Sequence, residues 1–506
     1  MSALRRNIVA NYAGKGLLAA MALFFPPFYL RLLGAESYGL VGFFGTLAAV
    51  LNLFDFGLSM TLNREMARLS AEGTPEASQE MRDLVRTHEG IFWSVGVCAG
   101  LGVAALAPVI AQRWVHVRTL PVETVTQAVR VMGLVFALQW PGGLYNGGLL
   151  GLQQQVLSNV VQVATTTLRL LGSALILWLV SRTVQAYLLW QVLTASLGTL
   201  ACGVMLARHL PAPGLRGRVR WEVVRKHWRF SAGMTGISVM TVLLVQADKL
   251  VVGKLFTLDQ LGYYTLAGTV GNGLYYFIGP VFAAVFPRLC QLVTTGDEAA
   301  LRALYHKSCQ IMSVTVLPVT LVLVLFVREV LFAWTGNADT VERIWRVVVA
   351  IAVGTSMSGL MNLPYALQLA HGWTRLTFWT NLVAVVLLVP LVATLGRRYG
   401  MVGAAAGWTI LNAGYVFVSI RLMHRKLLRG EMWRWYLVDV ALPLAGAALV
   451  VVPFRLWLHV PAGRLPTLCT LMFVGGVAVL GAGLAAPAVR ALALDLLSGW
   501  RRRLRA

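Results

Sequence analysis

Charged side chains are sparse in this chain, and a few of them interrupt sequence that is otherwise apolar. Arg169 stands in TTTLRLLGS, Lys15 in NYAGKGLLAA, Asp55 in LFDFGLS, and Asp248 and Lys249 in VQADKLVVGK. An ionisable group in apolar surroundings is costly unless it faces water, an opposite charge or a charged ligand, so each of these marks a candidate functional site. Lys15, Arg169 and Lys249 are cations suited to receiving an anion, and Arg169 sits too deep in its apolar run to reach the surface with its stem. Asp55 and Asp248 are acids suited to pairing with such cations or to holding a coupling H+ or Na+. Lys15 and Asp55 fall at similar depths of the first two apolar runs, where they could pair across a hairpin. Nothing resembles catalytic machinery: the chain has no GxxxxGK[ST] phosphate loop, no HExxH, no GxSxG and no clustered histidines, so neither an ATPase nor another enzyme is expected. Five scattered cysteines without a CxxC indicate neither disulfides nor a metal site.

The elements that must position these groups follow from composition. Of 506 residues, 58% are hydrophobic and 12% are charged, with a mean hydropathy of +0.71. A water-soluble domain cannot hide that much apolar surface. Runs of about 18 or more apolar residues are read as membrane-spanning helices, because a helix satisfies its own backbone in lipid. About fourteen such runs are legible, from 8–33 and 39–62, through 125–150, 156–180, 184–207 and 229–255, to 376–396, 401–422, 437–457 and 466–487. The expected class is therefore an all-α polytopic membrane protein. The net charge of +23 falls mostly in loops on one side of these runs. That is the positive-inside pattern with both termini cytoplasmic, and it is contact with lipid rather than a nucleic-acid footprint.

The sequence also repeats itself. Glu36-x-x-Gly39 recurs 223 residues later as Asp259-x-x-Gly262, and the same offset carries Pro141 onto Pro364. Near that offset, Asn159 meets Asn381 and Trp190-Gln-Val-Leu-Thr-Ala meets Trp408-Thr-Ile-Leu-Asn-Ala. Six spans separate the copies, an even number, so the repeat is parallel about an axis along the membrane normal. It divides the chain into a six-helix lobe at 1–208, a basic linker with an interfacial helix at 209–228, a second six-helix lobe at 229–424, two extra spans at 425–487 and a basic amphipathic tail at 488–506. Pro26, Pro27, Pro141, Pro280 and Pro364 remove backbone donors inside spans and, with the conformationally free Gly142, are the expected hinges.

The LGxExYG corner at Leu33–Gly39, DFGL at Asp55–Leu58, the following Arg64 and Asn11 with Lys15 resemble the opening of bacterial polysaccharide flippases. These export O-antigen and exopolysaccharide repeat units within the multidrug/oligosaccharidyl-lipid/polysaccharide superfamily. The resemblance implies two six-helix lobes in a V around a central cavity, with alternating access. It also implies a polyprenyl-diphosphate-linked oligosaccharide carried from the cytoplasmic to the outer leaflet of the inner membrane, and a polysaccharide polymerase and co-polymerase as partners. By analogy with lipid II flippases, the two extra spans would hold the lipid tail. Lys15, Arg169 and Lys249 would then neutralise the diphosphate. Rival readings are a multidrug or organic-cation antiporter, which should line its cavity with acids; a lipid II flippase; and a non-transporting scaffold for polysaccharide assembly, which needs no deep charge.

Overall fold

The computed structural model describes residues 3–211, 217–457, 461 and 463–505, for residues 3–15, 374 and parts of 223–238 and 496–505 as backbone alone. Among the described residues the chain is helical almost throughout, as a backbone in hydrocarbon must be. Eleven helical stretches among them are long and apolar enough to cross a membrane, which makes this a multi-pass membrane protein. Three departures account for the lower count than the sequence suggests. Spans 376–396 and 401–422 lie in one stretch, Arg375–Lys426, bent where Gly400 takes a positive φ of 64°. Span 125–150 is broken at Trp140 into helices of 18 and 11 residues, neither of which is both long and apolar enough to count. Span 229–255 lies in the continuous helix Trp221–Leu255, which is described in part as backbone alone and so falls outside the count.

Contacts divide the chain into two units, Met1–Thr265 and Leu266–Ala506. The first contains α1 (Ala3–Leu33), α2 (Ala35–Leu51), α3 (Leu58–Glu72), α4 (Pro75–Val109), α5 (Val122–Gln139), α6 (Pro141–Gly151), α7 (Gln155–Leu179), α8 (Val184–His209), α9 (Trp221–Leu255) and the first turns of α10 (Leu258–Gly271). The unit thus takes in α9, which lies beyond the first copy of the sequence repeat. Trp221–Trp228 is continuous with the rest of α9 rather than a separate surface helix, because no proline or glycine breaks the helix between Trp221 and Ala232.

The repeated corner shows why it recurs. A Cβ on Gly39 would lie 1.9 Å from the Leu258 carbonyl oxygen, and one on Gly262 would lie 2.4 Å from the Ala35 carbonyl oxygen. The matched glycines therefore let α2 and α10 cross backbone to backbone, each filling the space the other leaves open. The acids one turn earlier bind a single loop. Glu36 accepts from the backbone N–H groups of Arg118 (2.5 Å), Thr119 (3.0 Å) and Leu120 (3.2 Å) and from the Thr119 hydroxyl. Asp259 accepts from the Thr257 hydroxyl at 2.5 Å and pairs with the Arg118 guanidinium at 3.8 Å. At another end of the unit, buried Asp83 of α4 accepts from the Arg218 N–H at 2.8 Å and pairs with Arg220 at 3.6 Å. Arg82 donates to the Pro211 carbonyl. The described parts of the linker are thereby tied to α4.

The second unit contains α11 (Tyr275–Thr295), α12 (Glu298–Leu325), α13 (Val327–Thr335), α14 (Ala338–Ala370), α15 (Thr374–Gly414), α16 (Ile420–Lys426), α17 (Met432–Arg434), α18 (Leu442–Trp457), α19 (Arg464–Ala485) and α20 (Pro487–Arg505). Helix α12 packs against α11, α14, α18 and α19, and its apolar face is the centre of the core, with Met312, Val316 and Tyr305 fully enclosed. A buried polar network joins it to the terminal helices. His306 Nδ1 meets Asp439 at 2.5 Å, His306 Nε2 meets Glu431 at 3.1 Å, and Gln310 donates to Asp439 at 2.9 Å while accepting from the Ala488 N–H at 2.8 Å. Asp439 reaches this depth from a π-helical segment, Trp435–Ala441, whose extra residue per turn re-aims a side chain.

Of the expected hinges, Pro141 begins α6 directly after the break at Trp140, with Gly142 following it in the same helix. Pro26 and Pro27 lie inside a continuous α1, Pro280 inside α11 and Pro364 inside α14.

Candidate functional site

Helix α7 carries two faces. Leu168, Leu171 and Leu175 are exposed on one. Ser158, Gln162, Thr165, Thr166 and Arg169 recur at helical spacing on the other, the i, i+4, i+7 pattern of a single stripe. Helix α8 supplies a second polar stripe with Gln191, Thr194 and Thr199, and α6 supplies Gly142, Gly143 and Asn146. Together with Gln139 at the end of α5, these line a partly open cavity of about 360 Å³, within the range of small-molecule sites.

Several lining groups already have partners. Gln191 donates to Ser173 at 2.9 Å, Thr199 to the Leu138 carbonyl at 2.7 Å and Ser158 to Asn146. The side chains of Gln139, Gln162 and Thr166 and the Arg169 guanidinium have no protein hydrogen-bond partner among the described residues. Arg169 is the one charged side chain among the described lining residues, and no carboxylate lines the cavity beside it. Two phenols stand within its electrostatic reach, Tyr29 and Tyr187. They meet edge to face at 5.7 Å, and Tyr29 is fixed by donating to the Leu170 carbonyl at 2.5 Å. An unpaired guanidinium among amides and hydroxyls, at membrane depth, attracts an anion and presents up to five N–H donors to it.

The other candidate residues are placed elsewhere. The side chain of Lys15 lies outside the described residues; its backbone is in α1. Lys249, on α9, does not line the cavity. Its neighbour Asp248 accepts from the Tyr264 hydroxyl at 2.8 Å and from the Lys249 backbone N–H at 2.8 Å. Asp55 accepts from Ser59 at 2.5 Å. Of the four whose side chains are described, only Arg169 lines the cavity. A search for charges passes over the uncharged groups that complete it, although the amide and hydroxyl stripe on α7 is legible at helical spacing. The His306–Asp439–Glu431 network was also missed, because its members are far apart in sequence. No cluster of three metal-ligating side chains occurs among the described residues.

Fold and cavity define a polytopic helical membrane protein with a polar, cation-bearing chamber inside its first unit. Residues 30–338, more than half of the chain, match the family model described as polysaccharide biosynthesis protein, and the chain belongs to that family. It is 20% identical over 405 residues to a Shigella flexneri protein named "Putative O-antigen transporter", covering 80% of this chain and 94% of that one. Among solved structures it resembles the lipid II flippase MurJ in an inward closed conformation, with a TM-score of 0.69, 11% identity and coverage of 97% and 99% of the two chains. It also resembles an inward-facing multidrug resistance MATE family transporter of the MOP superfamily, with a TM-score of 0.65, 14% identity and coverage of 81% and 96%. At these identities the structural likeness establishes the fold alone.

Proposed function

We propose that this protein is a flippase that carries a polyprenyl-diphosphate-linked oligosaccharide repeat unit from the cytoplasmic to the outer leaflet of the bacterial inner membrane, for surface polysaccharide synthesis. The observation that carries this reading is Arg169 in a polar cavity where, among the described residues, it has no hydrogen-bond partner for its guanidinium and no carboxylate beside it. A lipid-linked saccharide needs hydrogen-bonding groups that replace water across the bilayer, and its anionic linkage needs a cation. The family and the Shigella relative point the same way. A cation exporter is disfavoured because its cavity requires acids, and a scaffold is disfavoured because it requires no buried cation.

Both termini are cytoplasmic in this reading, transport proceeds by alternating access, and a polymerase and co-polymerase receive the product. The protein performs no covalent chemistry. An inside-negative potential drives a dianion outward by about 4–5 kcal/mol per 100 mV, so voltage alone suffices to bias transport. Asp55 and Asp248 are the acids through which H+ or Na+ coupling would add to it. The test is complementation. Arg169→Ala abolishes surface polysaccharide while the protein still inserts and accumulates normally; full polysaccharide output from a normally inserted Arg169→Ala protein removes Arg169 from the mechanism.

A further inference from the structure

We infer that His306, Asp439 and Glu431 form a proton-binding site in the second unit, and that the proton held there fastens the terminal helices to α12. The site belongs to a different unit from the Arg169 cavity and stands whether or not the protein is a flippase.

Hydrogen-bond geometry sets the proton count. A neutral imidazole has one N–H and one bare nitrogen, so it donates to a single acceptor. His306 faces a carboxylate at each ring nitrogen, Asp439 at 2.5 Å from Nδ1 and Glu431 at 3.1 Å from Nε2. Each contact needs a proton, which is one more than a neutral ring between two ionised acids supplies. The surrounding donors put that proton on the ring. Gln310 donates to the other Asp439 oxygen at 2.9 Å, and Arg302 and Arg434 pair with Glu431 at 3.3 and 3.5 Å. Donors of this kind stabilise a carboxylate as the anion. The imidazolium is then the one cation touching Asp439 among the described residues, and Asp439 is fully buried, where an unpaired charge is costly.

Burial gives the proton a way in. Side-chain exposure rises from 0% at Asp439 and 2% at His306 to 14% at Glu431, and reaches 45% and 52% at Arg302 and Arg434. Exchange with water therefore runs through Glu431 and Nε2, and Asp439 closes the inner end. Helix α12 also turns Tyr305 and Cys309 toward the site, α16 turns His424, which meets the Tyr305 hydroxyl at 3.3 Å, and the terminal segment adds Tyr436. Among the described residues none of these four hydrogen-bonds to the His306 ring.

The proton sits where the terminal helices converge. Asp439 lies in the π-helical segment leading into α18, Glu431 directly precedes α17, and Gln310 accepts from the Ala488 N–H of α20 at 2.8 Å. Helices α18 and α19 cross backbone to backbone: a Cβ on Gly446 would lie 2.5 Å from the Gly481 carbonyl oxygen, and one on Gly481 2.7 Å from that of Gly446. What holds α18 therefore holds both. Further along α12, Val322 and Phe326 pack against Val451, Leu471 and Val474, an apolar grip that protonation leaves alone. Losing the proton sets a nitrogen lone pair against a carboxylate near the start of α12, while the grip beyond it persists. The terminal helices are thereby freed at the proton site and held farther along.

The test uses the full-length protein in lipid nanodiscs, isotopically labelled at the ring nitrogens of its eight histidines. At about pH 8, where free imidazoles are neutral, nitrogen NMR should show a ring with protons on both nitrogens, and that signal should be missing from His306→Gln. Asp439→Asn keeps an oxygen toward Nδ1 but loses the charge, and should turn the ring neutral. A native state that holds a proton the unfolded chain has released loses stability as pH rises. The lead in thermal midpoint of the unaltered protein over His306→Gln should therefore narrow above about pH 6.5, by up to about 3–5 °C per pH unit. At a fixed neutral pH, amide exchange over 431–441 should quicken about tenfold or more in both variants, while exchange over 466–480 stays unchanged. No doubly protonated ring in the unaltered protein at about pH 8 overturns the inference, even where neither variant folds. So does a midpoint difference that does not narrow, or unchanged exchange over 431–441 in both variants.

Discussion

Asp439→Ala is the most informative perturbation outside the cavity. Asp439 is fully buried and accepts from two groups on α12, His306 Nδ1 at 2.5 Å and Gln310 Nε2 at 2.9 Å. His306 and Gln310 are each 2% exposed, so water cannot replace the lost acceptor without a local opening. Each orphaned donor costs about 1–3 kcal/mol, and the pair together about 2–6 kcal/mol. Glu431 provides the internal comparison. It touches the other ring nitrogen at 3.1 Å, but its side chain is 14% exposed and also pairs with Arg302 at 3.3 Å and Arg434 at 3.5 Å. Water and those arginines can adjust around its loss, so Glu431→Ala should cost about 1 kcal/mol or less. The assay is thermal unfolding in detergent, read by size-exclusion chromatography after heating. For a unit of this size each kcal/mol moves the midpoint by about 2–4 °C, so Asp439→Ala should lower it by at least several degrees and clearly more than Glu431→Ala. A midpoint for Asp439→Ala equal to that of the unaltered protein would refute the argument that this network holds α12 to the terminal helices.

Two further outcomes follow from the repeated corner. Gly262→Val places a side chain where even a Cβ sits 2.4 Å from the Ala35 carbonyl oxygen; because that neighbour is backbone, α2 and α10 must separate, at a cost of about 1–3 kcal/mol. Disulfide trapping between cysteines introduced at Ala35 and Leu258, in a background without the native cysteines, should fall in this variant, and unchanged trapping refutes the crossing. Glu36→Ala removes the acceptor for the N–H groups of Arg118, Thr119 and Leu120. Amide exchange at those positions should quicken about tenfold or more, with Glu36→Gln intermediate, and unaltered exchange shows that the carboxylate does not hold the loop.

Much of this was legible in the sequence. Apolar runs too long for a soluble core required helices in lipid, and the recurring acid-x-x-glycine corner announced two copies of one hairpin. Arg169 declared itself as a deep cation by its neighbours alone. Other features had no such signal. Lys15, Arg169 and Lys249 form a set by charge type, yet Lys249, carried on α9, is not among the residues that line the Arg169 cavity. His306, Glu431, Asp439 and Ala488 are separated by more than a hundred residues from α12 to the terminal helices. No local pattern links them.

By itself the sequence determined the class of protein, because the free energy of burying apolar side chains and satisfying backbone groups depends on composition and period, which are local. It determined also that the two corners would be alike, and that a stripe of amides and hydroxyls would run along α7. Which helices stand beside that stripe was decided only by tertiary structure. Packing of α5, α6 and α8 against α7 turns a polar face into the wall of a partly open chamber, and among the described residues it leaves Arg169 there without a carboxylate. The charge balance of a cavity depends on which distant segments meet across it, and helix-on-helix packing settles that.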